Sequence, residues 1–502
     1  MAIEDQSSTI AFLSNPTTYG LVDKVEVIGT HISLVALAGD RVYKMKKALK
    51  LPYVDFSTAA IREDACRKEV ALNSETAPGL YLGVRRITRT ENGALEFDGS
   101  GPLVDAVVEM VRFGQEHLFD RMAVAGKLTP ALMTAAARMI ALFHNKAPVV
   151  SAGGGAENIA AVLDINDAGF ATSHVFEPAA VKKISDIFHA RLRHHAPLLD
   201  RRAQAGMIRR CHGDLHLRNI CLLDGQPCLF DCIEFSTQIA TIDVLYDLAF
   251  LLMDLWYRGF PDLANLVMNR YLDEADDEDG FCLLPFFMAI RAEVRAHVTA
   301  TQAEEPGQDR ERLAAEAKSY FDLAHELLQE SEPRLIAIGG LSGSGKSTVA
   351  DRLAPKVGTP PGARIVESDR IRKALHGVSA ETRLPVAAYH RDVSAKVYRE
   401  MARQAAVILD QGGSVVADAV FDDPERRSLI ESASGEARFQ GIWLDANPAL
   451  LLQRVRDRIG GPSDANADVL AGQLARKSAD FEWRRVDASQ GVDEIIAAIL
   501  RD

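Results

Sequence analysis

A chain of 502 residues is long for a single hydrophobic core and comfortable for two or three domains. Its 47% hydrophobic and 25% charged residues are typical of a soluble globular protein and exclude a disordered or membrane-embedded chain. The formal net charge of -13 argues against a general nucleic-acid coat, because a protein that wraps a polyanion needs a basic surface.

The sequence indicates a cytoplasmic protein that does not use a membrane. The residues after Met1 lack the basic segment and apolar run of a secretory signal. The apolar run 248–256 is interrupted by Asp254 and is too short to cross a bilayer. Four of the six cysteines lie between 211 and 232, without the paired Cys-x-x-Cys spacing of most structural zinc sites. We therefore expect the cysteines to pack in the core rather than to bind zinc or form disulfides.

The first part of the chain predicts a small lobe rich in strands, followed by a larger helical lobe. Alternating and apolar runs predict the strands, and helical periodicity predicts the helices. Strands are expected within 24–37, 40–44, 83–96 and 105–110, and helices over 59–74, 129–145 and most of the chain from there to about 330.

A loop in the helical lobe carries the first motif with catalytic chemistry. His212-Gly213-Asp214-Leu215-His216-Leu217-Arg218-Asn219 places an aspartate and an asparagine five residues apart, and Phe230-Asp231 follows a short apolar run. This resembles the catalytic loop of the aminoglycoside phosphotransferase and choline kinase branch of the protein-kinase-like fold. The resemblance implies that Asp214 accepts or orients the proton of the acceptor hydroxyl. It also implies that Asn219 and Asp231 bind the Mg²⁺ ions that bridge the ATP phosphates.

The same resemblance assigns roles in the strand-rich lobe. Lys44 is the candidate for the lysine that contacts the ATP phosphates, with Glu69 as its partner, although Lys46 shares its face of the strand. Met110 ends the strand that would receive adenine through backbone groups. The turn that would cover the phosphates has one glycine, so its polar residues are either phosphate contacts or ordinary turn residues: Thr30, His31 and Ser33.

A domain boundary is expected near Ser331-Glu332-Pro333, which gives domains 1–330 and 331–502. An apolar strand over 334–339 runs into a glycine-rich loop, and further strands over 364–367, 414–417 and 440–444 alternate with helical stretches. This alternation predicts a parallel sheet wrapped by helices. The expected fold is thus α/β and α+β in two domains, a bilobal protein-kinase-like one and a P-loop one.

The glycine-rich loop matches the Walker A pattern G-x4-G-K-[ST] between a strand and a helix, which disfavours a chance glycine turn. Backbone N–H groups at the helix start point at phosphate oxygens, Lys346 neutralises the phosphates, and Ser347 offers a hydroxyl to Mg²⁺. The motif predicts ATP contacts from Gly340, Ser342, Gly343, Ser344, Gly345, Lys346, Ser347 and Thr348.

The run Glu367-Ser368-Asp369-Arg370-Ile371-Arg372-Lys373 resembles the small-molecule and polynucleotide 5′-kinase group of P-loop kinases, which includes gluconate kinase, adenylylsulfate kinase and the zeta toxins. The resemblance implies that Asp369 orients or deprotonates the acceptor hydroxyl and that Arg372 holds an anionic group. A plain helix cap is the alternative for Asp369.

Two further elements of this group can be matched. The run 415–421 resembles its third strand, where Asp418 would lie near Mg²⁺ or substrate. Arg454 and Arg458, four residues apart on one helical face, look like lid arginines that stabilise the charge of the transferring phosphoryl group. A solvated basic helix face explains these arginines equally well.

As a whole the chain resembles bacterial bifunctional proteins that join an aminoglycoside-phosphotransferase-like domain to a P-loop, AAA-type kinase domain. This implies a phosphotransferase that uses ATP and Mg²⁺ on a hydroxyl of a small polar molecule, with a sugar or sugar derivative as the favoured acceptor. Nucleic acid is a possible but not favoured partner, and the sequence fixes no oligomeric state.

Three alternatives remain open: a polynucleotide 5′-hydroxyl kinase, a regulatory ATP-binding module, and an antibiotic-modifying enzyme. An antibiotic-modifying enzyme needs an acidic pocket, which the run 273–279 would supply unless it is a solvated loop.

Overall fold

The structure is a computed structural model, and it describes residues 4–20, 23–30, 32–51, 54–150, 153–307, 309–457, 461–475 and 482–501. The chain forms two compact units. The first comprises Met1–Asn158 and Leu199–Leu251, and the second comprises Ile159–Leu198 and Leu252–Asp502. The second unit thus combines the P-loop segment with helices that precede residue 330. The two compact units do not follow the predicted boundary, so the domains 1–330 and 331–502 stay a prediction that describes segments of the sequence.

The first unit holds all strands before the P-loop segment. They are β1 (Val25–Gly29), β2 (Ser33–Ala38), β3 (Arg41–Lys46), β4 (Lys50–Leu51), β5 (Val54–Asp55), β6 (Tyr81–Arg89), β7 (Leu95–Phe97), β8 (Leu103–Val111), β9 (Ile208–Arg210), β10 (Ile220–Leu223), β11 (Gln226–Leu229) and β12 (Thr241–Asp243).

The helices up to residue 330 are α1 (Ser7–Ser14), α2 (Ala59–Thr76), α3 (Phe119–Val124), α4 (Pro130–Lys146), α5 (Gly155–Thr172), α6 (Pro178–Gln204), α7 (Thr237–Ala240), α8 (Val244–Tyr257), α9 (Pro261–Ala275), α10 (Leu283–Glu304) and α11 (Arg310–Leu327). These elements confirm the strand-rich lobe followed by helices. Across the described residues, no helix is long and apolar enough to cross a lipid bilayer.

The main sheet of the first unit has six antiparallel strands in the order β1-β2-β3-β8-β6-β7. Side chains alternate between its faces, as the two-residue period of a strand requires. Val107 packs with Leu13 of α1 on one face, while Val108 packs with Cys66 of α2 on the other. Helix α2 begins after Thr58, whose hydroxyl accepts from the Ile61 N–H at 3.4 Å. The sheet and α2 together hold Lys44 and Glu69.

The P-loop segment forms a sheet of five parallel strands in the order β14-β15-β13-β16-β17. Its strands are β13 (Arg334–Gly339), β14 (Arg364–Glu367), β15 (Val415–Asp418), β16 (Arg438–Asp445) and β17 (Arg484–Asp487). Its helices are α12 (Lys346–Leu353), α13 (Ser368–Leu375), α14 (Arg391–Asp410), α15 (Pro424–Ser432), α16 (Pro448–Asp457), α17 (Ala467–Ala475) and α18 (Val492–Leu500). The predicted parallel sheet is confirmed. Sequence analysis missed β17, because its Arg-Arg-Val-Asp run buries one side chain of four.

The acidic run 273–279 is neither a solvated loop throughout nor an acidic pocket lining. Asp273 and Glu278 both bind the buried Arg364 side chain, at 2.7 and 3.1 Å. Only part of the run is exposed, including Asp276 and Asp279. The interpretation failed because the neutralising arginine lies about ninety residues further along the chain.

Candidate active sites

In the first unit, Lys44 lies between two carboxylates. Its Nζ is 2.7 Å from Glu69 Oε1 on α2 and also binds Asp231. Burial opposes the lysine's charge, but Asp231 and Glu69 together raise its pKa well above the ordinary value. Burial likewise acts against the Glu69 carboxylate, and the two lysines Lys44 and Lys46 outweigh it, lowering its pKa to about 2. The predicted pairing of Lys44 with Glu69 is therefore present, as a fully charged pair.

Lys46 forms a second buried pair that sequence analysis missed. Its Nζ lies 2.5 Å from Glu69 Oε2 and also binds Glu234. Glu234 is 188 residues from Lys46 in sequence, so local pattern offered no signal. One glutamate on α2 thus anchors both lysines. Lys44, whose other partner is the exposed Asp231, is the one that faces the site.

The hairpin of β10 and β11 brings the catalytic-loop residues together. Ile220 pairs with Leu229, and the Phe230 N–H donates to the Asn219 carbonyl at 3.1 Å, so Asn219 and Asp231 flank the open end of the hairpin. The Asn219 Nδ2 donates to Asp214 Oδ2 at 3.0 Å and to its carbonyl at 2.9 Å. The side-chain oxygen of Asn219 and the carboxylate of Asp231 are thus hard donors that suit Mg²⁺.

The buried Asp247 side chain supports the loop that holds Asp214 and Asn219. Asp247 accepts the backbone N–H groups of His212 and Gly213 at 3.1 and 2.8 Å, and His144 Nε2 lies 3.0 Å from it. His212 bonds the Phe230 carbonyl at 2.9 Å. Through these contacts His212 supports the loop. The signal for Asp247 was its place in an apolar helix, where a carboxylate requires partners.

The remaining predicted contacts of the first site lie in ordinary structural positions. Met110 is buried in β8, in the core that also holds Cys221 and Cys228. Thr30 and Ser33 close the turn between β1 and β2, since the Ser33 N–H donates to Thr30 Oγ1 at 3.0 Å. His31 lies outside the described residues. Roles toward ATP for these residues stay predictions.

In the second unit the Walker A residues form the floor of a cavity of about 1210 Å³. Gly343 and Gly345 have φ angles of 86° and 91°, which side-chain-bearing residues rarely adopt. A Cβ on Gly340 would lie 2.6 Å from Ser344 Oγ and 2.8 Å from the Leu444 carbonyl. Helix α12 begins at Lys346, so its first N–H groups have no acceptor within the helix. This loop fits a phosphate group.

Two carboxylates lie side by side at the ends of adjacent strands. Glu367 and Asp418 are register partners of β14 and β15, and Glu367 Oε1 accepts from the Ser347 hydroxyl at 3.3 Å. Burial and the neighbouring Asp418 raise the pKa of Glu367 to about 8, and burial raises that of Asp418 to about 6. Among the described residues, the buried Asp418 Oδ2 has no hydrogen-bond partner. A cation beside Ser347 and Asp418 would satisfy it, so this donor set fits Mg²⁺.

Asp369 and Arg372 also line the cavity. Asp369 is in the first turn of α13 while Glu367 occupies the cap position, so Asp369 is not the helix cap. Burial raises its pKa. Arg372 donates to the Ala388 carbonyl at 2.8 Å and lies over the Tyr389 ring at 4.7 Å.

Three residues after position 450 contact the phosphate loop or Tyr389: Arg454, Asp464 and Gln473. A Cβ on Gly345 would be 3.9 Å from Arg454 Nη1, so Arg454, which the sequence predicted as a lid arginine, lies at the phosphate loop. Gln473 on α17 accepts the Ser342 N–H at 2.9 Å, and Asp464 accepts the Tyr389 hydroxyl at 2.7 Å. Arg458 lies outside the described residues. Sequence analysis missed Glu367, Gln473 and Asp464 because their contacts join distant segments.

Comparisons with known proteins match a family to each of the two segments. The family described as "Phosphotransferase enzyme family" matches residues 112–284, and the family described as "AAA domain" matches residues 335–479. An uncharacterized protein of Mycobacterium tuberculosis (strain ATCC 25618 / H37Rv) is 30% identical over 497 residues, which cover 95% of this chain and 96% of that protein. A shikimate kinase of Nitrobacter winogradskyi is 29% identical over 158 residues, 31% of this chain and 67% of that enzyme. The solved choline/ethanolamine kinase family protein from Mesorhizobium loti has 16% identity and a TM-score of 0.40, and covers 64% of this chain and 93% of its own.

The folds, the sites and the family matches define the class: this protein is an ATP-dependent phosphotransferase that fuses a phosphotransferase-family domain to a P-loop kinase domain. Within that class, the chain belongs to the family of the mycobacterial proteins, with which it shares nearly its whole length.

Proposed function

We propose that the protein binds ATP with Mg²⁺ at both sites and phosphorylates a hydroxyl of a small polar molecule, a sugar or sugar derivative. The observation that carries this proposal is the cavity of about 1210 Å³ above the Walker A loop. It exceeds the roughly 300–1,000 Å³ typical of a pocket for one small ligand, so it has room for a nucleotide and an acceptor.

At the P-loop site, one set of groups binds the phosphates and Mg²⁺, and another orients the acceptor. Lys346 and the N–H groups at the start of α12 hold the phosphates, and Arg454 adds positive charge from the lid. Ser347 and Asp418 would hold Mg²⁺, which would offset the charge of the phosphates. Asp369, which also lines the cavity, would orient the attacking hydroxyl and take up its proton.

At the first site, the same chemistry uses different groups. Lys44, which pairs with Glu69, would contact the phosphates, and Asn219 with Asp231 would hold Mg²⁺. Asp214 is held by the Asn219 amide at 3.0 Å and orients the acceptor hydroxyl. Positioning and charge stabilisation supply most of the catalysis at both sites.

Arg372 and Arg383 line the cavity and offer positive charge to an acceptor with negative charge at the P-loop site. Arg426 also lines the cavity but pairs with Asp422 at 3.1 Å. An acidic sugar fits this lining, and so does the 5′ end of an oligonucleotide. An oligonucleotide would bind with a steep salt dependence, because it releases several counterions.

The test is ATP consumption across a panel of neutral sugars, acidic sugars, nucleosides, aminoglycosides and 5′-hydroxyl oligonucleotides. Asp214→Ala and Lys346→Ala are assayed separately beside the wild type. We expect a sugar to stimulate turnover, and one substitution to lower that turnover at least about 100-fold. If neither substitution lowers any acceptor-dependent turnover, the proposal is wrong. Stimulation confined to oligonucleotides would establish the polynucleotide kinase instead.

A cytoplasmic location is part of the proposal. All six cysteines are free, and five are buried. Free buried thiols are usual where the surroundings are reducing.

A further inference from the structure

Helix α9 completes the edge of the P-loop sheet. Strand β14 is the outermost strand, yet all four of its residues are buried. Asn269 of α9 accepts the Ile365 N–H at 2.7 Å, and Asn265 donates to the Ala363 carbonyl at 3.0 Å. Side chains of a helix thus supply the hydrogen bonds that a neighbouring strand would supply, which an exposed edge otherwise lacks.

The packing at this edge is close over a continuous stretch. A Cβ on Gly362 would lie 2.9 Å from Asn265 Nδ2, and one on Gly413 would lie 2.6 Å from the Phe281 ring. Gln411 donates to the Glu278 carbonyl at 3.1 Å. The residues from α9 to Phe281 therefore contact both the start of β14 and the turn before β15.

A series of side-chain contacts connects α9 to the phosphate loop. Asp273 lies 3.5 Å from Arg370 Nη1, and the Arg370 Nε donates to Glu367 Oε2 at 3.0 Å. The other oxygen of Glu367 accepts from the Ser347 hydroxyl at 3.3 Å. Glu367 is buried and the other three residues are partly buried, and such contacts fix geometry more strongly than exposed ones.

Asp273 is held in place independently of this series of contacts. Its carboxylate also pairs with Arg364 at 2.7 Å and with Arg270 at 2.8 Å. Arg270 continues to Asp351 of the Walker A helix at 3.4 Å. Asp273 therefore contacts β14 through Arg364 and is connected to α12 through Arg270.

We propose that Asp273 is a positioning residue of the P-loop site, which holds Arg370 so that Glu367 fixes the Ser347 hydroxyl for Mg²⁺. A residue of the segment that matches the phosphotransferase family thereby sets metal binding in the other kinase domain. The inference rests on the proposed function of the P-loop site as an ATP and Mg²⁺ site.

The test measures binding of a fluorescent ADP analogue to the full chain, once with Mg²⁺ and once with EDTA. The phase of the binding curve that is lost in Lys346→Ala belongs to the P-loop site. We expect Asp273→Asn to weaken that phase about fivefold to tenfold with Mg²⁺ and less than about twofold in EDTA. The matched control is Asp262→Asn, which removes an exposed α9 ion pair to Arg352. The control should change binding less than about twofold under both conditions.

Arg370 gives a second position that decides the matter if Asp273→Asn does not fold. Arg370→Gln should reproduce the Mg²⁺-dependent loss, whereas Arg370→Lys keeps the positive charge and should recover most of the binding. Equal losses with Mg²⁺ and EDTA, or no loss, would show a structural role only and overturn the inference. If the wild type has no phase that depends on Lys346, the proposed function of this site fails first.

Discussion

At the scale of single residues, Glu293 of α10 sets a pH dependence of stability. It is buried and accepts a hydrogen bond from Asn166 Nδ2 at 2.9 Å, and burial raises its pKa to about 8. The unfolded carboxyl ionises near 4.5, so between these pH values the folded state binds the extra proton. Stability from this group is therefore complete below about 4.5 and is lost as the pH rises toward 8.

We expect Glu293→Gln to remove this dependence, because an amide does not titrate. In the wild type this group changes the free energy of unfolding by up to about 1.4 kcal/mol per pH unit, and the variant should lack this contribution. Urea unfolding of both proteins at several pH values measures it, and the variant should gain stability over the wild type as the pH rises. Parallel curves would mean that Glu293 is ionised in the folded protein.

Residue identities predicted two contacts within the candidate sites, and the roles of these residues toward ATP stay predictions. Asp214 and Asn219 are five residues apart and are in hydrogen-bond contact, and Lys44 was correctly paired with Glu69. Partners supplied by remote segments were not predictable. Glu234 reaches Lys46 across 188 residues, and no period or motif in a single sequence records such a contact.

At the scale of elements, the bond between Asn269 and β14 has a measurable worth. Asn269→Ala leaves the Ile365 N–H buried without its acceptor, which costs about 1–3 kcal/mol. ADP with Mg²⁺ stabilises the part of the protein that holds the P-loop site, which identifies its unfolding transition. We expect the free energy of that transition to fall by this amount, so that it occurs at lower urea. Asn145→Ala, at an exposed position of α4, is the matched control and should leave the transition in place. A loss no larger than that of the control would contradict the edge role of α9.

Strand and helix positions were largely readable from the sequence, but the partners of each element were not. The predicted strand 334–339 coincides with β13, and 364–367 coincides with β14. Helix α9 was read simply as part of a helical lobe. Its asparagines at positions 265 and 269 satisfy backbone groups about 95 residues away, which is a tertiary fact.

At the scale of the whole molecule, the question is whether the segment 331–502 holds together without the helices before it. Residues 331 and 332 are exposed and join the two predicted domains. Contacts of α9 with β14 and α12 do not pass through this connection. Cutting the chain there removes one covalent link and leaves the buried contacts intact.

We therefore expect a chain nicked at an engineered protease site at Ser331-Glu332-Pro333 to remain one particle in gel filtration. Its binding of ADP with Mg²⁺ at the Lys346-dependent site should also be retained, whereas the segment 331–502 expressed alone should expose β14 and fail to unfold cooperatively. A sharper comparison is between the nicked unsubstituted chain and a nicked chain that carries Asn269→Ala and Asp273→Asn. The two proteins differ only in contacts between the two pieces. We expect the pieces of the substituted chain to separate. If the pieces of the unsubstituted chain separate and each stays folded, the boundary near residue 330 divides independent folding domains, and α9 is only a neighbour of the sheet it covers.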